Sequence, residues 1–83
     1  MISRTEFQLI DNVEKMALLF DQGREVMSRI YMYYNIKLYS LNDFFVEVWY
    51  RQSSNTVDKI EVADMDRVFH LYEKSIDISD LFN

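Results

Sequence analysis

The stretch from Ile30 to Arg51, IYMYYNIKLYSLNDFFVEVWYR, constrains the fold more than any other part of the chain. It holds most of the aromatic residues, alternates apolar and polar side chains, and is interrupted at residues 41–43 by Leu-Asn-Asp. Aromatic and β-branched residues in alternation predict half-buried strands, and an Asn-Asp pair between two such runs predicts a turn. We therefore expect an antiparallel hairpin with one apolar face and one mixed aromatic face.

The more apolar side chains of both strands occupy even-numbered positions, and this pattern sets the predicted register. Because side chains alternate across a strand, these positions share a face only if even-numbered residues pair with each other. A three-residue loop over residues 41–43 meets this condition, and a two-residue loop does not. We therefore expect Leu38 opposite Val46 on the inward face, and Lys37 opposite Glu47 on the outward face.

The remaining segments predict a helix at each end and one further strand. Residues 3–6 (Ser-Arg-Thr-Glu) form a capping-box pattern, and Gly23, the only glycine, is placed as a left-handed C-cap. Between them, apolar residues three and four apart form a predicted stripe on one helix face: Leu9, Ile10, Val13, Met16, Ala17 and Phe20. These signals predict a helix over residues 4–22. Residues 57–62 predict a third strand, and Asp64 precedes a second amphipathic helix. The expected fold class is α+β: an N-terminal helix, a three-stranded antiparallel β-meander and a C-terminal helix in two layers, with both helices on the even-numbered face.

Three local features stay open. Residues 24–29 either extend the first strand or connect it to the helix. The register of the third strand depends on whether a β-bulge near Val57 brings that residue to the same face as Ile60. The closing segment, residues 78–82, either packs on its own domain or docks elsewhere.

Composition limits the domain number and the cellular setting. A chain of 83 residues is expected to form a single domain, 1–83. The absence of cysteine, of a long apolar run and of a signal-peptide pattern predicts a cytoplasmic protein that does not bind membranes. A net charge of −5, most of it after residue 51, argues against nucleic-acid binding, because phosphate contacts need a basic surface.

The sequence predicts no catalytic, cofactor or metal site. His70, the only histidine, shares a predicted helix face with the carboxylates Asp66, Glu73 and Asp77. Catalytic zinc needs about three protein ligands in a shaped cavity, so we expect a solvated helix surface there. Ser53-Ser54 fits a turn better than an activated nucleophile, and there is no glycine-rich phosphate loop. We therefore expect a protein that is not an enzyme.

The odd-numbered face of the hairpin is the most informative surface. Tyrosine, tryptophan and arginine are enriched at interaction hot spots, and monomers rarely expose large apolar patches. The predicted interface residues are Tyr31, Tyr33, Lys37, Tyr39, Phe45, Trp49 and Arg51. We expect a homodimer, or a tight complex with another protein, centred on Phe45 and Trp49. Cover by a terminal helix and plain cross-strand pairing are the alternatives.

The segments YYNIKLYSLNDFFVEVWY and IDISDLF resemble a group of small bacterial proteins with αβββα order and no characterised activity. This resemblance implies a bacterial cytoplasmic origin and supplies no site. The leading functional expectation is a non-enzymatic protein-interaction module that uses its aromatic sheet face for self-association or partner binding. One alternative is an acidic inhibitor or immunity-type protein that covers a basic site on a toxin or enzyme. Another is a small-molecule binder with a cavity beneath Tyr34, Tyr50 and Trp49.

Overall fold

The structure, a computed structural model, describes residues 1–73 of the chain. In this range the elements are α1 (Arg4–Leu9), α2 (Asn12–Gln22), β1 (Arg24–Tyr31), β2 (Tyr34–Leu41), β3 (Phe44–Arg51), β4 (Thr56–Ala63) and α3 (Met65–Glu73). The predicted α+β class is confirmed. The expected αβββα order is wrong in two respects, because the described residues form two N-terminal helices and a four-stranded antiparallel sheet.

The N-terminal region begins with the predicted capping box but does not continue as one helix. Ser3 Oγ accepts a hydrogen bond from the Glu6 amide at 3.1 Å, and Glu6 Oε1 accepts one from the Ser3 amide at 3.2 Å. The chain becomes extended at Ile10, and Asp11 starts α2 by accepting a hydrogen bond from the Glu14 amide at 2.9 Å. Aspartate side chains compete in this way with a continuous helix, which is why 4–22 is divided in two.

Gly23 ends α2, but not in the predicted left-handed conformation. Its φ is −80° and its ψ is 159°, which is extended backbone open to any residue. Glycine is required here because the backbone of Leu19 lies too close for a side chain. A Cβ at this position would lie 2.7 Å from the backbone oxygen of Leu19. The Gly23 amide donates a hydrogen bond to that same oxygen at 2.9 Å, so the contact cannot open without losing the cap.

Residues 24–29 belong to a separate strand, β1, rather than to an extension of the predicted first strand. The turn between β1 and β2 is formed by Met32 and Tyr33. Tight hairpin turns usually contain glycine, asparagine or aspartate, and the sequence IYMYY offers none of these before Asn35. The turn was therefore not predictable from turn chemistry.

The predicted register between the two central strands is wrong by one residue. Leu41 lies opposite Phe44, and the loop consists of Asn42 and Asp43 alone. Asn42 takes the left-handed conformation, with φ of 54°, and its Nδ2 donates a hydrogen bond to the backbone oxygen of Ile2 at 2.7 Å. This contact ties the hairpin loop to the N-terminus and stabilises the two-residue turn.

The one-residue shift changes which side chains face each other. Leu38 pairs with Glu47 instead of Val46, and Lys37 pairs with Val48 instead of Glu47. Directly paired residues project from the same face of a sheet. The even-numbered apolar side chains of β2 and those of β3 therefore lie on opposite faces.

The pairing of β4 with β3 contains a β-bulge, which the sequence left open. The pairing shifts between Trp49 and Tyr50, so that Trp49 lies opposite Lys59 and Tyr50 lies opposite Val57. Asp58 is the extra residue of the bulged strand. Because of the bulge, Val57 projects from the same face as Ile60 and Val62.

The helices cover both faces of the sheet, so the predicted two-layer arrangement is wrong. On the α1/α2 face the buried core residues are Phe7, Leu19, Leu41, Phe44, Val46, Val48 and Ile60. On the α3 face Tyr72 packs with Leu38 and Ala63. Each face carries the apolar side chains of one central strand, and therefore each face needs helical cover.

The predicted second helix is present as α3. Its first turn is held by Asp64, whose Oδ1 accepts a hydrogen bond from the Asp66 amide at 3.1 Å. The predicted terminal segment, residues 78–82, lies outside the described residues. Of the helices in residues 1–73, none is both long and apolar enough to cross a membrane.

Candidate functional site

The β1–β2 and β3–β4 turns lie side by side at one end of the sheet. Adjacent strands run antiparallel in the order β1-β2-β3-β4, so these two turns share an end and the β2–β3 loop lies at the other. The Gln52 amide donates a hydrogen bond to the Tyr33 carbonyl oxygen at 2.8 Å and joins the two turns directly. We call this region the aromatic tip; its members are Ile30, Tyr31, Met32, Tyr33, Tyr34 and Trp49.

The aromatic tip exposes apolar side chains on both sides of the β1–β2 turn, with Ile30 on the α1/α2 face and Tyr31 on the α3 face. Ile30 and Tyr33 are each 74% exposed, Met32 is 69% exposed and Tyr31 is 49% exposed. A cleft of about 530 Å³ adjoins them and is lined by Tyr33, Tyr34, Arg51, Gln52 and Ser53. Single exposed apolar side chains are normal, but four of them around one hairpin end concentrate apolar area in the way that marks interaction sites.

Met32 is held in a strained backbone conformation at the centre of the aromatic tip. Its φ is 53°, in the left-handed region. The other non-glycine residues with positive φ within residues 1–73 are Asn42 and Asn55, and asparagine tolerates this region well. For a methionine the same conformation costs about 1–2 kcal/mol. The fold thus keeps an exposed apolar side chain at a position where an asparagine would be more stable.

Trp49 forms the base of the aromatic tip on the α3 face. Its ring lies 5.2 Å from the Tyr34 ring and 6.1 Å from the Tyr31 ring, both edge-on. Lys59 Nζ lies 4.1 Å from the Trp49 ring centroid and the Arg29 guanidinium lies 5.5 Å from it. Edge-on aromatic pairs and cation–π contacts are each favourable, so packing against Trp49 stabilises the positions of Tyr31 and Tyr34. Its buried Nε1 has no hydrogen-bond acceptor among the described residues.

A hydrogen-bonded ion pair borders the cleft. Arg51 Nη2 and Nε donate to Asp58 Oδ2 at 2.6 and 3.2 Å, and the Tyr34 hydroxyl donates to the same oxygen at 2.9 Å. The Arg51 guanidinium, together with the Tyr34 hydroxyl, lowers the pKa of Asp58 below its usual range. The hydrogen bond to the Asp58 carboxylate raises the pKa of Tyr34. The pair leaves the cleft without net charge at neutral pH.

Replacing Arg51 with glutamine is expected to raise the pKa of Asp58 toward its usual range, because the largest cause of the lowered value is removed. A carboxyl group whose pKa is lowered by folding stabilises the folded state above its unfolded-state pKa. That contribution is lost as the pH falls through the lower, folded-state pKa. An NMR titration of the Asp58 carboxyl carbon in wild type and Arg51→Gln measures the shift directly. Identical midpoints in the two proteins would contradict the ion pair.

The structure brings together only some of the predicted interface residues. Tyr31, Tyr33, Trp49 and Arg51 lie at or beside the aromatic tip. Phe45 is partly buried and packs with the α3 cluster, away from the tip.

Lys37 and Tyr39 lie on the α1/α2 face, because the register places them opposite Val48 and Val46. Burial, together with a hydrogen bond to Tyr50, raises the pKa of Tyr39 to about 12. Lys37 Nζ lies 3.3 Å from Glu25 Oε1. These two side chains therefore contact their own fold.

The main feature that the sequence did not reveal is the environment of Glu47. Its side chain was expected outward beside Lys37, but Glu47 is 2% exposed on the α3 face. Its Oε2 accepts hydrogen bonds from Arg29 Nε at 3.3 Å, from Arg29 Nη2 at 3.1 Å and from the Tyr72 hydroxyl at 2.5 Å. The available signal was one carboxylate within the apolar run FFVEVWY, whose partner could be named only in the correct register.

The helix face considered above as a possible metal site, and predicted to be a solvated surface, is the face of α3 that contains His70. His70, Asp66 and Glu73 are exposed on this helix, and Asp77 lies outside the described residues. Among residues 1–73 no three histidine, cysteine or carboxylate side chains are grouped closely enough to hold a metal ion. Ser53 and Ser54 lie in the β3–β4 turn, and Ser54 Oγ is 2.7 Å from Thr56 Oγ1, a local turn contact.

The remaining sequence-level expectation is the resemblance to small bacterial proteins. The chain matches no protein-family model, no curated protein and no solved structure. The resemblance therefore stays a prediction.

Proposed function

We propose that this protein is a non-enzymatic interaction module that self-associates through the aromatic tip, as a cytoplasmic homodimer. The strained Met32 carries the proposal. A tight turn under selection for stability alone would contain asparagine or glycine, as the left-handed positions 42 and 55 do. Strain of this kind is retained where the side chain itself has a role.

Charge favours a second copy as the occupant of the tip. Each chain has a net charge of −5, so two copies repel each other except where the contacting surfaces are neutral. Residues 30–36 contain no charged residue, and the only one in residues 49–57 is Arg51, which is neutralised by Asp58. The tip therefore offers a contact in which few like charges approach each other.

The size of the aromatic tip is appropriate for the centre of an interface. A standard interface buries about 800 Å² on each partner, and one aromatic side chain can bury about 150–250 Å². Tyr31 and Tyr33, together with Ile30 and Met32, supply a large part of this area. The polar Arg51, Gln52 and Ser53 of the adjoining cleft would form the rim.

Met32→Asn separates association from stability. At protein concentrations where both proteins are monomeric, we expect the substitution to raise the urea midpoint of unfolding, because asparagine fits the left-handed conformation better. We also expect it to weaken dimerisation by about tenfold or more, the usual effect of losing a central apolar side chain. Sedimentation velocity over a concentration series measures the second effect.

The control is Phe20→Ser, which removes a 94% exposed side chain that lies outside the tip. It should leave the dimer unchanged. A wild-type protein that stays monomeric at several hundred micromolar would overturn the proposal, as would a dimer that is lost in Phe20→Ser and kept in Met32→Asn. The single tryptophan, Trp49, gives an independent reading, since its emission should shift to shorter wavelength only when the tip is covered.

A further inference from the structure

A second apolar surface lies on α2, away from the aromatic tip. Val13 is 80% exposed, Phe20 is 94% exposed and Ala17 between them is also exposed. Residues three and four apart lie on one side of a helix, so these three form a continuous apolar stripe. The side of α2 that contacts the sheet is different, with Leu19 only 1% exposed. We call Val13, Ala17 and Phe20 the α2 stripe.

The α2 stripe has an acidic border. Glu14 follows Val13 and Asp21 follows Phe20, so both carboxylates lie along the same side of the stripe, two turns apart, and both are exposed. The one cation of α2, Lys15, is directed elsewhere, with its Nζ 5.8 Å from the centroid of the buried Phe7 ring. The stripe is therefore apolar at its centre and negative at one edge.

From this pattern we infer that the α2 stripe binds a basic amphipathic helix of another protein, one with lysine or arginine beside an apolar stripe. A helix of this kind buries Val13 and Phe20 and pairs its cations with Glu14 and Asp21. This inference concerns a surface separate from the aromatic tip and does not depend on self-association there.

A second copy of this chain fits the α2 stripe less well. In an antiparallel two-fold pair of α2 helices centred on Ala17, Glu14 of one copy lies opposite Asp21 of the other. Like charges in such positions repel, and the net charge of −5 on each chain adds to the repulsion. A basic helix is instead attracted both by Glu14 and Asp21 and by the net negative charge of the chain.

The test uses the full chain and a synthetic helical peptide of about 18 residues, long enough to form a helix, built from leucine and lysine at helical spacing. A second peptide with glutamate in place of lysine is the probe control. Fluorescence anisotropy should show binding of the lysine peptide and much weaker binding of the glutamate peptide. Phe20→Ser should weaken lysine-peptide binding about tenfold or more, as expected for a central apolar contact.

Two charge variants separate docking from general attraction to an acidic protein. Glu14→Gln/Asp21→Asn should weaken lysine-peptide binding about fivefold, the scale of two exposed ion pairs. Asp66→Asn/Glu73→Gln removes the same number of charges from α3 and should leave the affinity within about twofold, since charges farther away than a Debye length are largely screened. Met32→Asn should also leave it unchanged, which keeps this result independent of the aromatic tip.

Several results would overturn the inference. Equal affinity for the two peptides, equal loss in the two charge variants, or no loss in Phe20→Ser would each exclude docking on the α2 stripe. Self-association that disappears in Phe20→Ser would assign the stripe to a second copy instead. Protection of the Val13 methyl groups from a soluble paramagnetic probe in the free monomer would show that the chain already covers the stripe.

Discussion

Arg29→Met is expected to destabilise the protein by about 3–5 kcal/mol, because it leaves the carboxylate of Glu47 buried without its counter-ion. The side chains of Arg29 and Glu47 are 9% and 3% exposed, and the ion pair measures 3.1 Å. Arg29 also lies 5.4 Å from the Tyr72 ring centroid and 5.5 Å from that of Trp49, so its loss removes cation–π contacts as well. Small domains have only about 5–15 kcal/mol of total stability, so the variant should be close to unfolded at room temperature.

Two further variants test this assignment by urea denaturation. Arg29→Met/Glu47→Leu/Tyr72→Phe replaces the whole network with apolar groups and should recover most of the lost stability, since buried ion pairs are often replaceable in this way. Lys37→Met breaks an ion pair whose side chains are 37% and 48% exposed, and should cost less than about 1 kcal/mol. If Arg29→Met costs no more than Lys37→Met, then Glu47 is solvated and the network does not hold α3 on the sheet.

Glu47 also shows why the sequence predicted the elements better than their arrangement. The capping box at Ser3 and the strand-like alternation around β2 and β3 depend on neighbouring residues, and both were predictable. The register depends on whether the loop has two residues or three. The even-numbered apolar pattern favours three residues only if helices cover a single face, and α3 covers the other face as well.

The aromatic tip was only partly predictable for a related reason. Tyr31, Tyr33, Trp49 and Arg51 were selected by residue type, and the structure places them at one end of the sheet. Ile30, Met32 and Tyr34 join them because of a turn at Met32 and Tyr33 that has no glycine or asparagine. Only the backbone conformation of Met32 shows that this end of the sheet carries strain.

The N-terminal apolar stripe was only partly correct as a guide to the core because the helix is divided at Asp11. Ile10 and Met16 of the stripe do pack against the core. The expected stripe included Leu9, Val13 and Phe20, and these side chains are 81%, 80% and 94% exposed. Leu19, outside the predicted stripe, is 1% exposed and packs in the core instead. A break in the helix rotates the second part relative to the first, so one continuous stripe no longer describes which residues face the sheet.

Phe7, which is buried, and Phe20, which is exposed, allow a direct comparison of the two helix positions. Phe7→Ala is expected to destabilise the protein by about 3–5 kcal/mol, the range for removing a buried aromatic side chain. Phe7 is completely buried and its ring lies 5.6 Å from that of Phe44 on the α1/α2 face. Because α1 has only six residues and is too short to be stable alone, it depends on tertiary contacts, and Phe7 is its buried residue. Equilibrium urea unfolding followed by Trp49 fluorescence measures the loss.

Phe20→Ala is the matched substitution and should change the free energy of unfolding by no more than about 0.5 kcal/mol, since a fully exposed side chain contributes little packing. A small increase in stability is the expected sign, because alanine has the higher helix propensity. If Phe20→Ala instead costs more than about 2 kcal/mol, Phe20 belongs to the core and the α2 stripe is not a free surface. If Phe7→Ala costs less than about 1 kcal/mol, α1 does not pack on the sheet and the capping box at Ser3 starts a helix with no tertiary support.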